Sequence, residues 1–404
     1  MILSSVSLTL SARSLVIAPD VKTLQVTVND DWLSPPVMKL GSSDVLNVSF
    51  DQLSHTYHRY IAHIEHCEAD WSPSDQLFES DWLVGFNDIT IDDYVNSLNT
   101  TVLYTHYALR IPNERCRLKM SGNYKLHILD DDDGQREVAC AEFYVAEQMM
   151  QVGLSVTTNT DIDHNRSHQQ VSMTVNYVSA SVTNVDEQIY TVVRQNGRED
   201  NQKVNPRHTY STNRGLRWEH NRQLIFEAGN EYHKFEVLDV SHPTMGIDIM
   251  RWDGRHYQAF PFTNEPRRNY SYDEDADGAF YIRNSDNVEN DRTCDYVYVN
   301  YRLAPANHYA DADIIVDGNW TTEDPDTYVM QYDETDKSYR TRILQKQGYY
   351  SYQYLMRDMD GTTHTVPEEG SFFETENRYQ AYVYYRPTGA RTWRLAGYQQ
   401  VVLK

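Results

Sequence analysis

Carboxylates at alternate positions stand out first: Asp273, Asp275 and Asp277, followed by Gly278. Three such groups can converge on a hard cation such as calcium, and a glycine permits the sharp turn that brings them round. The run opens like a D-x-D-x-D-G loop. The position of a closing bidentate glutamate is Asn284, however, and no helical pattern flanks the segment. A solvated acidic turn is the preferred reading, with calcium the minor alternative.

His63, His66 and Cys67 are also metal-ligand types, in an H-x-x-H-C run. On a strand, positions three apart face opposite sides, so the two rings should diverge. No metal site is expected there. Cys67, Cys116, Cys140 and Cys294 form no CxxC pair, so no zinc framework is indicated and no disulfide pairing can be selected. Buried free thiols suit them at least as well.

Trp320 follows Ile314-Ile315-Val316 and Asp317-Gly318-Asn319, and precedes the run Lys346-Gln347-Gly348-Tyr349-Tyr350-Ser351-Tyr352. That layout is similar to early-set sandwich modules of the glycogen-binding type. An exposed Trp320 with Lys346 nearby could stack on a sugar ring. Packing of Trp320 over a sandwich edge is the preferred alternative. The sequence holds no G-x-S-x-G elbow, P-loop, G-x-G-x-x-G or H-E-x-x-H. Its 59 acidic residues supply carboxylate pairs by chance, so no glycosidase pair can be nominated. No catalytic residue and no cofactor are expected.

The elements that must position these residues are strands. Leu46, Val48 and Phe50 alternate with polar residues, as do Tyr60, Ala62 and Ile64, then Tyr124, Leu126 and Ile128, then Ala141, Phe143 and Val145. Period-two alternation marks strands with one buried face. Pro35-Pro36, Ser121-Gly122-Asn123 and the acidic turn ending at Gly134 separate them. With no intervening helical pattern, the expected class is all-β, in tandem immunoglobulin-like or early-set β-sandwiches. The expected division is 21–147, 148–290 and 295–404. Asn196-Gly197 predicts a hairpin, and 197–222 a long mobile loop.

Composition narrows the partners. Lys and Arg number 36 against 59 Asp and Glu, a net charge of −23, which excludes the basic footprint that nucleic acid requires. Solubility explains such a charge first, and attraction to a basic protein surface second. Tyr outnumbers Phe by 31 to 11, as suits half-buried strands whose hydroxyls reach water. Mean hydropathy is −0.68, and no run approaches the ~18–20 apolar residues of a membrane helix. Met1 to Ala12 is apolar and rich in small residues, like the end of a secretory signal, so 1–20 is read as a leader remnant.

Several segments then carry a resemblance. Cys67-Glu68-Ala69-Asp70-Trp71 with Ser74, Gly85-Phe86-Asn87-Asp88, Ser97-Leu98-Asn99-Thr100 and Ser121-Gly122-Asn123-Tyr124 are similar to segments of the type IX secretion system plug protein family. His168-Gln169, Gly229-Asn230-Glu231-Tyr232, Glu369-Gly370-Ser371, Thr375-Glu376-Asn377 and Tyr384-Tyr385-Arg386 continue the match in the family's order. The resemblance implies a periplasmic protein, monomeric when free, that closes the periplasmic opening of an outer-membrane translocon β-barrel without bond-making chemistry. It marks no interface residues. The rival readings are a periplasmic glycan-binding protein built on Trp320 and Lys346, and a hydrolase whose acids are unmarked.

Overall fold

The computed structural model describes residues 14–403, so positions 1–13 of the expected leader lie outside the described residues. Strands hold 48% of the chain and helices 6%, which places it in the all-β class. Among the described residues, no helix is long and apolar enough to cross a membrane.

The first sandwich follows from the alternation. One sheet orders Leu15–Val16, Arg136–Ala146, Gly122–Asp130, Tyr60–Cys67 and Ile89–Thr90. The facing sheet orders Val21–Val28, Leu46–Gln52, Thr105–Ile111 and Asp93–Asn96. Ala62, Ile64, Leu126, Ile128, Ala141 and Phe143 from one sheet share a core with Leu46, Val48, Phe50 and Tyr107 from the other. Residues before 21 join this unit: Leu15–Val16 pairs with Arg136–Ala146, and Val16 and Ala18 are buried.

The middle sandwich differs from the expected division. Met150–Thr157 and His168–Tyr177 pair as one sheet, extended by Gly215–Trp218 and Tyr210–Thr212. The opposite sheet orders Lys203–Val204, Ile189–Gln195, Asn377–Tyr385 and Arg394–Leu403. The last hairpin of the chain thus closes the middle unit rather than the C-terminal one. Alternation reports which face a strand buries, not which sheet it joins. Part of the loop expected at 197–222 is also a strand pair, held down by buried Leu216 and Trp218.

The third unit runs between these two halves of the middle one. Its ten-stranded sheet includes His233–Val237, Tyr296–Leu303, Ala312–Asp317, Ser338–Lys346 and Gly348–Asp358. Phe235, Tyr301, Val316, Trp320, Tyr350, Tyr352 and Tyr354 form its core.

The chain crosses between middle and third units twice, side by side. Gln169 Nε2 donates to the carbonyls of Phe373 (2.9 Å) and Thr375 (2.8 Å). Asn377 Nδ2 donates to Gln169 Oε1 (3.0 Å) and to the Ala228 carbonyl (2.7 Å), and Asn230 Nδ2 to the Glu369 carbonyl (2.7 Å). Gln169, Asn230 and Asn377 are therefore the polar fastening of the two crossings. Buried amides of this kind are stable only when fully paired, so they fix one geometry.

Candidate functional site

A cleft lies where the first sandwich meets the C-terminal hairpin of the middle one. It encloses about 340 Å³ and is lined by Glu68, Asp70, Asp75, Tyr190, Arg386, Arg391 and Trp393, among others. The strand Tyr60–Cys67 ends at its floor. There Trp71 adopts a left-handed φ of 66° and buries its ring 5.1 Å from Tyr144. Asp70 Oδ1 accepts from the backbone N–H (3.1 Å) and hydroxyl (2.6 Å) of Ser72, which tightens the turn. Across the cleft, the Arg386 guanidinium lies 4.6 Å from the centroid of Trp393, a cation–π contact that holds both side chains at the opening.

Beneath the cleft the two units are joined tightly. Tyr144 and Tyr382 rings lie 4.7 Å apart, Tyr384 Oη donates to Asn123 Oδ1 (2.8 Å), and Glu147 pairs with Arg394. The Trp393 backbone N–H donates to Glu68 Oε2 (3.1 Å). The walls are the loops 68–76 and 386–393, seated on two sheets by a common packed seam of Cys67, Ala69, Trp71, Tyr144, Tyr382, Tyr384 and Leu395.

Beside the cleft, two aromatic side chains face solvent. Phe78 is 74% exposed and Phe86 75%. Phe86 is held outward by its neighbours in the segment Gly85-Phe86-Asn87-Asp88. A Cβ on Gly85, where φ is +108°, would lie 2.0 Å from the Arg115 carbonyl oxygen, so only glycine fits. Buried Asn87 accepts from the Ile64 N–H (2.8 Å) and donates to the Ile64 carbonyl (2.9 Å) and to Glu79 Oε2 (3.1 Å). These bonds pin the loop to a core strand and bring 78–79 beside 86–87. Arg391 links the pair to the cleft: it pairs with Asp81 (2.7 Å), donates to the Gln76 carbonyl (3.0 Å) and sits 6.0 Å from the Phe78 ring. Rigid exposed aromatics beside a mixed-charge cleft suit docking of another protein.

The nearest thing to a nucleophile here is Ser74. His66 Nδ1 lies 2.8 Å from its Oγ, but that hydroxyl donates its proton to Glu68 Oε1 (2.7 Å). Burial holds the His66 imidazole down at about 4, so it is neutral. The group is a structural hydrogen-bond chain, not an activated serine.

The residues singled out by spacing fall elsewhere. Asp273, Asp275 and Asp277 do not converge. Asp273 pairs with Lys234 (2.5 Å), Asp275 accepts from the backbone N–H groups of Tyr232 and Asp277, and Asp277 lies 3.5 Å from Arg378. Burial raises Asp275 to about 8 and Asp277 to about 7. Trp320 is 8% exposed, stacks on Tyr301 and donates its indole N–H to the Ser351 carbonyl, so no ring face is open to a sugar. Lys346 is buried too, paired with Asp51 of the first sandwich. His63 and His66 diverge as strand geometry requires: the first reaches Asp88 (2.8 Å) and the second Ser74 (2.8 Å). All four cysteines are free. Phe78 and Trp393 escaped sequence reasoning, while Phe86 and Arg386 lay in segments of the resemblance without a role; the available signal was Gly85-Phe86-Asn87, an apolar residue between two turn formers.

Against this geometry, the family described as "Type 9 secretion system plug protein 1st domain" matches residues 21–147. The crystal structure of a hypothetical protein from Parabacteroides merdae is 35% identical, with a TM-score of 0.93 over 97% of this chain and 99% of that one. A Pseudomonas fluorescens alkylpurine DNA glycosylase bound to abasic-site DNA is 11% identical over 31% of this chain and 30% of that one, with a TM-score of 0.16. A Salmonella alpha-2-macroglobulin is 10% identical over 98% of this chain and 28% of that one, with a TM-score of 0.17. Neither of the last two supports an argument about fold or function. No curated protein matches the chain.

Proposed function

The chain belongs to the type 9 secretion system plug protein family, and from that premise we propose that it is a non-enzymatic plug, docking on the periplasmic opening of the outer-membrane translocon barrel. The family match over residues 21–147 carries this reading, and the exposed Phe78 and Phe86 lie within that stretch. A plug must be stiff and must offer anchors. The double crossing between middle and third units supplies stiffness, and Phe78 and Phe86 are the anchors. An interface able to hold such a body closed buries roughly 1,200 Å² or more. The net charge of −23 suits a barrel rim that carries basic residues, steering approach before the aromatic contacts form.

The test is affinity purification of the tagged chain from native outer membranes. A large β-barrel should co-purify with it, and the yield should fall when Phe86 is replaced by Asp. Recovery of no barrel under conditions that keep outer-membrane complexes intact sinks the proposal.

A further inference from the structure

A second group of chemistry-bearing side chains lies on the outer face of the first sandwich. His127, Glu137 and Cys140 each offer one ligand atom, and the three atoms lie within 4.8 Å of one another. His127 Nδ1 is 2.7 Å from Glu137 Oε1, while His127 Nε2 is 3.5 Å from Glu65 Oε2 on the neighbouring strand. His127 stands directly across from Cys140 in the antiparallel ladder.

Glu137 should not belong to this group. In a regular strand, positions three apart face opposite sides, so Glu137 and Cys140 would diverge. The register shifts between Ile128 and Leu129, which leaves Val138 as an extra residue on the longer strand. Val138 and Ala139 are consecutively buried, and Glu137 is thereby turned onto the Cys140 face. A bulge that re-aims one side chain in this way is a recurrent device at functional sites.

We propose that His127, Glu137 and Cys140 bind a divalent transition metal of the zinc type, with Glu65 orienting the imidazole from its far nitrogen. Nitrogen, carboxylate oxygen and thiolate sulfur are the donors zinc accepts, and three protein ligands leave its fourth position to water. A carboxylate on the ring's second nitrogen is the usual support for a metal-bound histidine. Glu137 and Glu65 side chains are 36% and 33% exposed, so a cation can enter from solvent. Metal uptake takes the neutral imidazole and the thiolate, so it is pH-dependent. No spacing motif announces the site, because its ligands come from opposite arms of a hairpin and one of them depends on the bulge.

Cobalt(II) is the probe, titrated into the full, untagged chain under reducing conditions. One equivalent should bind with a thiolate-to-cobalt charge-transfer band, and zinc(II) should displace it. Cys140→Ser should abolish the band, and Glu137→Gln should weaken binding by at least about tenfold. Glu137 is half-exposed, so this second variant keeps the fold intact. Absence of one-to-one uptake overturns the proposal, as does a band that survives Cys140→Ser or an affinity unchanged by Glu137→Gln.

Discussion

The Lys346 ammonium lies 2.7 Å from Asp51 Oδ2, joining the third unit to the first with both side chains 1% exposed. Tyr296 Oη also donates to that oxygen (2.7 Å), and His106 Nδ1 lies 2.7 Å from the other one. Tyr104 places its ring 4.1 Å from the ammonium. The pair is thus fully desolvated and surrounded by partners. Removing one member of such a pair strands the other charge, which costs about 3–5 kcal/mol. Lys346→Met should lower the denaturation midpoint accordingly, and adding Asp51→Asn should recover at least half of the loss. A double variant no better than the single one would show that packing, not charge, dominates this seam.

Burial alone would raise the Asp51 carboxyl, but Lys346 and His106 together outweigh it and hold the group below its usual value. Its stabilisation is therefore present above the unfolded value of about 4 and is lost as pH falls through the lower folded one. Glu142 has the opposite sign. Burial, then the Glu199 carboxylate, raise it to about 9, and its Oε2 has no hydrogen-bond partner. Its contribution is full below about 4.5 and declines as pH rises towards 9. Glu142→Gln should stabilise the protein at pH 8 by roughly 1–3 kcal/mol and leave it unchanged at pH 4. Melting curves at the two values decide it; an equal effect at both refutes the ionisation account.

The sequence made the strands legible and left their assembly hidden. Leu46, Val48 and Phe50 alternate because one face meets the core, and that signal needs only local pattern. The pairing of Ile189–Gln195 with Asn377–Tyr385 spans almost two hundred residues and leaves no mark in either strand. Lys346 was hard to place for the same reason. A lysine in a Tyr-rich strand looks like a surface feature, unless the unit that covers it is known. The resemblance pointed to the right segments, including Gly85-Phe86-Asn87-Asp88, but the division of labour among those four residues appears only in three dimensions.

That division yields a contrast between neighbours. Phe86 is 75% exposed, so Phe86→Asp should change stability by no more than about 0.5 kcal/mol while weakening the proposed attachment to a barrel partner. An aromatic anchor of this kind carries about 2 kcal/mol or more of binding, a loss of roughly thirtyfold. Asn87→Ala should do the reverse at first, destabilising the first sandwich by about 1–3 kcal/mol through its lost backbone bonds. Thermal melts and co-purification measured on the same two variants separate the effects. Equal stability losses would mean that Phe86 packs against something rather than presenting itself.

The double crossing offers the last test. Gln169 is fully buried, donating to two carbonyls and accepting from Asn377 Nδ2 and Tyr379 Oη (2.6 Å). Gln169→Leu keeps the volume roughly constant and removes the amide donor of the Phe373 and Thr375 carbonyls, while Asn377 keeps its bond to the Ala228 carbonyl and Tyr379 its bond from Gln195; each unsatisfied group in a dry interior costs about 1–3 kcal/mol before relaxation. The penalty falls on the two linkers rather than on either core. The expected result is cleavage by a non-specific protease near 228–232 and 372–376 at concentrations that leave the parent intact, with both sandwich cores still protected. Cleavage that starts instead inside His168–Tyr177 would place the weakness in the middle sheet itself, and would deny the crossing its role in keeping the three units one stiff body.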